Sequence, residues 1–156
     1  MNSTLPLPHT KALADALNAG FIRLTPYDAA NAIQFRKNVA SYIQGAKLED
    51  LAPIAKYTLA YEGIHAIAVG FLFLHGLAPS QREGHRSQAL SLMYSFLELD
   101  ADDRYEIDDA NRMRNDKLYK SPAPPVSATV ARQLVELAAR AEAKAKARLP
   151  EWYALA

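Results

Sequence analysis

The chain of 156 residues carries 18 basic and 17 acidic side chains, a formal net charge of +1, and contains no cysteine. Its length suits one domain, residues 1–156, and its near-neutral charge gives no overall field that would attract nucleic acid, so a nucleic-acid function would need a local basic site. The lack of cysteine excludes disulfides, thiolate nucleophiles and cysteine-based zinc sites.

The N-terminal sequence and the apolar runs indicate in which cellular compartment the protein is expected. The chain begins MNSTLPLPHTK, without a basic segment followed by a long apolar core, so it does not resemble a signal peptide. The longest apolar run, from Ile64 to Leu74, is interrupted by His65 and is shorter than the roughly 20 residues that cross a bilayer. We expect a cytoplasmic protein without membrane contact.

Helix signals begin near the N-terminus, and strand signals are scarce along the whole chain. Residues 10–19 predict a short helix that ends at Gly20. Thr25 is a suitable capping residue for a second helix, which we expect to run to about Gln44 and to stop at Gly45.

The segment from Pro53 to His75 is apolar on nearly every face. A helix of this composition is normally buried, so we expect it to be the central and most buried element. Three further helices are predicted: one opened by the capping box Ser80-x-x-Glu83 and running to about Leu99, one from Asp100 to Tyr119, and one from Ser127 to about Arg148.

Short connections between long amphipathic helices predict antiparallel neighbours. We therefore expect an all-α, up-and-down antiparallel bundle of about five to six helices. Helix should account for at least about 60% of the residues, well above the globular average, and no sheet is expected. The core of the domain should comprise residues 26–149, with residues 150–156 forming a C-terminal tail.

Most catalytic signatures are absent from the sequence. It contains no GxxxxGK[ST], GxGxxG, HExxH, GxSxG or EF-hand loop. The histidines lack metal-ligand spacing, and the motif Glu62-x-x-His65, which di-iron bundles need twice, occurs once. We expect neither a metal nor a cofactor.

The predicted helix that ends at Tyr119 carries the most informative polar side chains. Arg114 shares a helical stripe with Ile107 and Ala110, so it belongs to an inward-facing, apolar row. A buried guanidinium needs a carboxylate, a carbonyl or a ligand anion. Glu62, which lies among apolar positions of the central helix, is one candidate partner. An ion pair with Glu62 and a contact with a ligand can both hold.

Arg112, Asn115 and Tyr119 lie on the neighbouring face of the same predicted helix. With Arg114 they would offer two arginines, an amide and a phenol, a set that suits a phosphate group. His85 should point inward at the start of its helix and be neutral, because a helix N-terminus disfavours the imidazolium. A neutral histidine near Arg114 could act as a base. The alternative is that His85 is a core histidine.

The helix order and these motifs resemble the HEPN superfamily of RNA-linked helical bundles, in particular a bacterial branch of it. The mark of the superfamily is Arg, a polar residue, a few more residues and then His, and this chain reads Arg114-Asn115-Asp116-Lys117-Leu118-Tyr119 in its penultimate long helix. The segments Tyr57–Gly63 and Arg82–Arg86 add to the likeness, which covers residues 28–149.

Active members of the superfamily are metal-independent endoribonucleases and usually homodimers. The resemblance implies that Arg114 clamps the scissile phosphate and that Asn115 supports it. Tyr119 stands where the family has histidine, and a phenol with a pKa of about 10 is a weak base at neutral pH. The resemblance therefore favours a catalytically reduced homodimer that binds RNA, a nucleotide or a protein partner through Arg112, Arg114, Asn115 and Tyr119.

Two alternatives stay open. One is an active ribonuclease in which His85 has taken the role of the base, and the other is a structural module whose arginines form core ion pairs. Some bacterial members of the superfamily pair with a small nucleotidyltransferase as toxin and antitoxin, and in certain of these a tyrosine near the motif is modified. The resemblance thus implies a nucleotidyltransferase antitoxin as a partner and Tyr119 as a modification site.

Overall fold

The computed structural model describes residues 4–81, 85–117 and 125–156. The protein is 71% helical, which confirms the all-α helical bundle. In chain order the elements are α1 (Lys11–Asn18), β1 (Ile22–Leu24), α2 (Ala29–Ala46), α3 (Pro53–Leu74), β2 (Leu77–Pro79), α4 (His85–Leu97), α5 (Ala101–Arg112), a π-helical turn (Met113–Lys117), α6 (Ala128–Arg148) and α7 (Pro150–Tyr153).

Side-chain caps fix where several helices begin. Asp100 and Ser127, the residues at which two of the predicted helices begin, cap α5 and α6. The predicted cap of α2 was wrong: Asp28, rather than Thr25, accepts hydrogen bonds from two backbone N–H groups of the first turn, at 2.7 and 3.2 Å. The backbone N–H of Thr25 donates instead to the carbonyl of Gly76. α2 also continues past Gly45 by one residue.

A small antiparallel sheet pairs β1 with β2, so the expectation of no sheet was wrong. Ile22 lies opposite Pro79, and Leu24 lies opposite Leu77. Gly76 has a φ of +70°, a left-handed conformation that turns the chain back after α3 and brings β2 against β1. Strands of three residues are too short to give an alternating sequence pattern, which is why the sequence does not reveal them.

α3 is the central element, as its composition predicts. It packs chiefly against α2 and α6, and Ile64, Ile67 and Leu72 on it are fully buried. The buried side chains of the described helices form one hydrophobic cluster. The short connection 47–52 joins α2 to α3, so these two helices pack as antiparallel neighbours.

The C-terminal segment is part of the core, which corrects the expectation of a tail at residues 150–156. α7 places Trp152 in the interior with no exposed surface, and its indole Nε1 donates a hydrogen bond to the carbonyl of Ala32 at 2.7 Å. Arg36 holds the same segment from α2, because its guanidinium donates to the carbonyls of Trp152 and Leu155 at 2.6 and 2.8 Å.

The apolar character of α3 reflects its place in the core. The helix spans 22 residues and is long and apolar enough to cross a membrane by length and composition. In its most apolar window, however, 72% of the residues are buried inside the protein. This is consistent with a soluble protein whose central helix is covered by its neighbours.

The N-terminal segment is bound to the end of α3. The backbone N–H of Leu7 donates to the carbonyl of Leu74 at 2.7 Å, and His75 Nδ1 donates to the carbonyl of Pro8 at 2.9 Å. His9 Nε2 donates in turn to the carbonyl of His75 at 2.9 Å. His75 is buried, and its Nε2 has no hydrogen-bond partner among the described residues. Burial lowers the pKa of His75.

Candidate functional site

Arg114 lies in the π-helical turn that follows α5 and pairs with Glu62 on α3. Its Nε donates a hydrogen bond to Oε1 of that carboxylate. The two side chains are 18% and 21% exposed, so water screens the pair only in part. Glu62, one of the candidate partners that the sequence offered for Arg114, is therefore its partner in the structure. Single π-helical turns within α-helices are frequent at functional sites.

A second guanidinium reaches the same place from α4. The hydroxyl of Tyr61, the neighbour of Glu62 on α3, accepts a hydrogen bond from Arg86 at 3.3 Å. Burial raises the pKa of Tyr61, while the positive charges of Arg86 and Arg114 act in the opposite direction. The phenol is therefore protonated at neutral pH and sits within the field of both arginines.

Asn111 connects these groups to each other. The Tyr61 hydroxyl donates to Oδ1 of Asn111 at 2.7 Å, and Asn115 donates to the same oxygen at 3.3 Å. The amide nitrogen of Asn111 donates to the hydroxyl of Ser87 at 3.3 Å. Asn111 is 5% exposed, so a buried amide joins α3, α4, α5 and the π-helical turn. We call Tyr61, Glu62, Arg86, Ser87, Asn111, Arg114 and Asn115 the arginine network.

Arg112 does not belong to the arginine network. Its side chain is 57% exposed, pairs with Asp109 at 3.2 Å and lies over the ring of Tyr105 at 5.9 Å. Two residues along a helix correspond to a rotation of about 200° around its axis. The side chains of Arg112 and Arg114 therefore lie on different sides of α5 and its π-helical turn. Arg86 is the other arginine whose charge, with that of Arg114, acts on Tyr61.

Some residues singled out in the sequence lie outside the described residues, among them Glu83 of the predicted capping box. Tyr119 lies outside the described residues, and so does the side chain of His85. The backbone of His85 begins α4, one position before Arg86. The roles expected for Tyr119 and His85 stay predictions.

A groove on the surface between α2 and α3 begins at Glu62. Its volume is about 250 Å³, and it is lined by Phe35, Asn38, Tyr42, Glu62, His65, Ala66 and Val69. The ring of His65 stacks on that of Tyr61, with the centroids 6.1 Å apart. Aromatic and amide surface therefore lies beside the ion pair of Arg114 and Glu62.

The motif Glu62-x-x-His65 is not part of a metal-binding cluster in the part of the chain that the structure describes. Within those ranges no group of three or more histidine or carboxylate side chains is placed to hold a metal ion. The carboxylate of Glu62 is engaged with Arg114 instead.

Sequence reasoning missed two members of the arginine network, Ser87 and Asn111. It included Tyr61 and Arg86 only as parts of the segments Tyr57–Gly63 and Arg82–Arg86. Asn111 lies four residues before Asn115, hence on the same helical face, and could have been found by that spacing. Tyr61 and Arg86 carry no such signal, because their meeting depends on how α3 packs on α4.

Comparison of the chain with models of known families, with curated proteins and with solved structures finds no significant match in any of the three. The likeness to the HEPN superfamily therefore rests on the motif at Arg114 and on the order of the helices.

Proposed function

We propose that this protein is a HEPN-like bundle that binds single-stranded RNA through phosphate contacts to Arg86 and Arg114. The observation that carries the proposal is the position of the Tyr61 hydroxyl, which holds Arg86 directly and lies in the field of Arg114. Guanidinium groups bind phosphate through paired N–H donors, and two of them on one anion bind more tightly than one.

The charge balance of the arginine network favours an anion. Glu62 offsets one of its two positive charges. Arg86 forms no ion pair with any residue in the described ranges. A net positive charge thus remains, although the chain as a whole carries only +1. Because the attraction is local, binding should depend only modestly on salt, with a slope of about 0.7 for each phosphate contacted by a single strand.

The groove beside Glu62 favours RNA over an isolated phosphate group. Phe35, Tyr42 and His65 line it, and aromatic rings of this kind stack on unpaired bases. Asn38 adds an amide that can form hydrogen bonds with a base edge. A phosphate at the arginine network and a neighbouring base in this groove would occupy adjacent parts of one surface.

The side chains of the proposed site favour RNA binding without RNA cleavage. Tyr119 replaces the histidine of the family motif, and a phenol gives up its proton poorly at neutral pH. Burial raises the pKa of the other phenol of the site, Tyr61, so even less of its deprotonated, basic form is present at neutral pH. The proposed activity is therefore recognition of RNA, with ribonuclease activity as the alternative.

Assembly and location are part of the same proposal. Two copies of Arg114 facing each other across a two-fold axis would hold one phosphate, as in the HEPN arrangement, and a stable dimer of this kind buries about 1,600 Å². The compartment is the cytoplasm, and a nucleotidyltransferase antitoxin is the protein partner that the family resemblance supports. Sedimentation giving a monomer at micromolar concentration would remove the shared site but leave the single-chain site intact.

Fluorescence anisotropy with a labelled 12-nucleotide RNA tests the proposal. Arg86→Gln and Arg114→Gln should each weaken binding by about tenfold, as expected for the loss of a charged hydrogen bond worth about 1.5 kcal/mol. Arg112→Gln is the matched control, since it removes the same charge from an exposed position nearby. If all three variants lose the same RNA affinity, the loss reflects only the overall charge of the protein, and the proposal is wrong.

A second pair of variants tests the groove. Tyr42→Ala and Phe35→Ala should weaken binding of the RNA but leave competition by inorganic phosphate unchanged, because phosphate has no base to stack. If the RNA binds as well to both variants as to the parent protein, the groove has no part in recognition.

A further inference from the structure

A larger cavity lies where the connection between α2 and α3 meets the beginning of α6. Its volume is about 540 Å³, within the range of about 300–1,000 Å³ typical of ligand pockets. It is lined by Ala46, Lys47, Glu49, Leu51, Pro53, Lys56, Ala128, Ala131, Arg132 and Val135. None of these residues belongs to the arginine network or to the groove beside Glu62.

The floor of the cavity is aliphatic. Ala46 and Ala131 are fully buried, and their small side chains leave the space that larger residues would fill. Leu51, Pro53 and Val135 complete the apolar wall. Among the described residues, no aromatic side chain lines the cavity, so this lining offers no ring on which a base would stack.

The rim of the cavity is cationic. Lys47, Lys56 and Arg132 face one carboxylate, that of Glu49, which leaves an excess of two positive charges. None of the three cations forms an ion pair within the described ranges. The first turns of α3 and α6 also lie here, and the positive ends of two long helix dipoles add to the field.

We propose that this cavity binds a small organic anion with an aliphatic body, such as a medium-chain carboxylate. The aliphatic chain of the ligand lies on the alanine floor, where burial of its methylene groups favours binding. The carboxylate lies at the rim, within reach of Lys47, Lys56 and Arg132. The described lining sets this ligand class apart from RNA, because it combines cations with aliphatic surface and contains no aromatic ring.

Isothermal titration of the full chain with decanoate, below the concentration at which decanoate forms micelles, is the first test. Saturable binding of one decanoate per chain is expected. Decan-1-ol has the same chain without the charge and should bind at least about tenfold more weakly, a difference of about 1.4 kcal/mol. Failure to detect saturable binding of decanoate, or equal affinity for the alcohol, would overturn the proposal.

Variants then locate the site. Lys56→Gln and Arg132→Gln should each lower the affinity for decanoate by several-fold and leave that for decan-1-ol unchanged. Ala128→Trp adds bulk from an exposed lining position and should abolish binding of both. Arg23→Gln, an exposed arginine on β1, is the matched charge control and should bind decanoate like the parent.

Thermal unfolding of each variant shows whether it is folded, so a loss of binding is not mistaken for a loss of structure. If Ala128→Trp still binds decanoate, or if Arg23→Gln loses as much affinity as Lys56→Gln and Arg132→Gln, the ligand binds elsewhere and the proposal is wrong. Arg86→Gln, which affects the RNA proposal, should leave decanoate binding unchanged.

Discussion

Arg114 and Glu62 are 52 residues apart in the sequence, and their ion pair joins the π-helical turn after α5 to the central helix α3. Each side chain is about one fifth exposed to solvent, so the ion pair is intermediate between a fully buried pair and a surface pair. The same arginine stabilises the fold and, in the proposed function, also contacts a phosphate.

Removing Arg114 separates these two roles. Arg114→Ala should lower the free energy of unfolding by about 1–3 kcal/mol, less than the 3–5 kcal/mol of a fully buried pair because water screens part of the interaction. Urea denaturation measures this, and a double-mutant cycle with Glu62→Gln isolates the pairwise energy. Arg112→Ala, which breaks an exposed pair, should change stability little.

The ligand measurement completes this comparison. If Arg114 serves only as the partner of Glu62, Arg114→Ala will lower stability without changing RNA affinity. A loss of RNA affinity in a variant that remains folded supports the phosphate-binding role.

Gly70 should be intolerant of a side chain because of its contact with Trp152. A Cβ atom at position 70 would lie 2.5 Å from two ring carbons of that indole, whose position is fixed by its hydrogen bond to Ala32. Gly70→Ala should therefore lower the free energy of unfolding by about 1–3 kcal/mol. Gly45→Ala is the control: its Cβ would meet only the flexible end of Leu59 at 3.4 Å, and it should be neutral or stabilising by up to about 1 kcal/mol. Equal effects of the two changes in urea denaturation would contradict this account.

The free energy of unfolding should decrease as the pH is lowered, because of His75. Burial lowers the pKa of His75 from 6.5, so the unfolded chain binds this proton more readily than the folded protein does. The stability that depends on neutral His75 is complete above a pH of about 6.5 and is lost as the pH falls toward the lower pKa of the folded state. His9, whose charge lowers the pKa of His75 further, and Glu151, which raises it, are the charged groups that act on this ring.

Urea midpoints between pH 7.5 and 5 measure this dependence. In His75→Asn the amide can replace the Nδ1–H that donates to Pro8, and the part of the pH dependence due to this residue should disappear. An unchanged slope in the variant would assign the effect to other groups.

Tyr119→His tests whether the scaffold is a nuclease that has lost its base. The change places an imidazole, with a pKa of about 6.5, at the position where the family has histidine. RNA cleavage, measured on a labelled single-stranded substrate, should rise above that of the parent protein, and Arg114→Ala in the same background should remove the gain. If the parent protein itself cleaves RNA and His85→Ala abolishes that activity, the histidine has moved and the binding proposal is wrong.

Helices α1 to α6 could be predicted from the sequence because their signals are local. An apolar segment from Pro53 to Leu74, capping residues at Asp100 and Ser127, and prolines between helices each act within a few residues. The pairing of Arg114 with Glu62 was also predictable, since each is a charged residue on an otherwise apolar stripe and each needs a partner.

The contacts between elements that are remote in sequence are determined by tertiary packing alone. Arg86 joins Tyr61 only because α4 lies against α3, and Trp152 enters the core only because glycine at position 70 leaves room for its ring. The sheet of β1 and β2 depends on pairing between residues that are 53 to 57 positions apart, for which three-residue strands give no local pattern. Helical periodicity and caps report how each segment folds by itself, whereas these contacts depend on the packing of segments remote in sequence, and that information is not local.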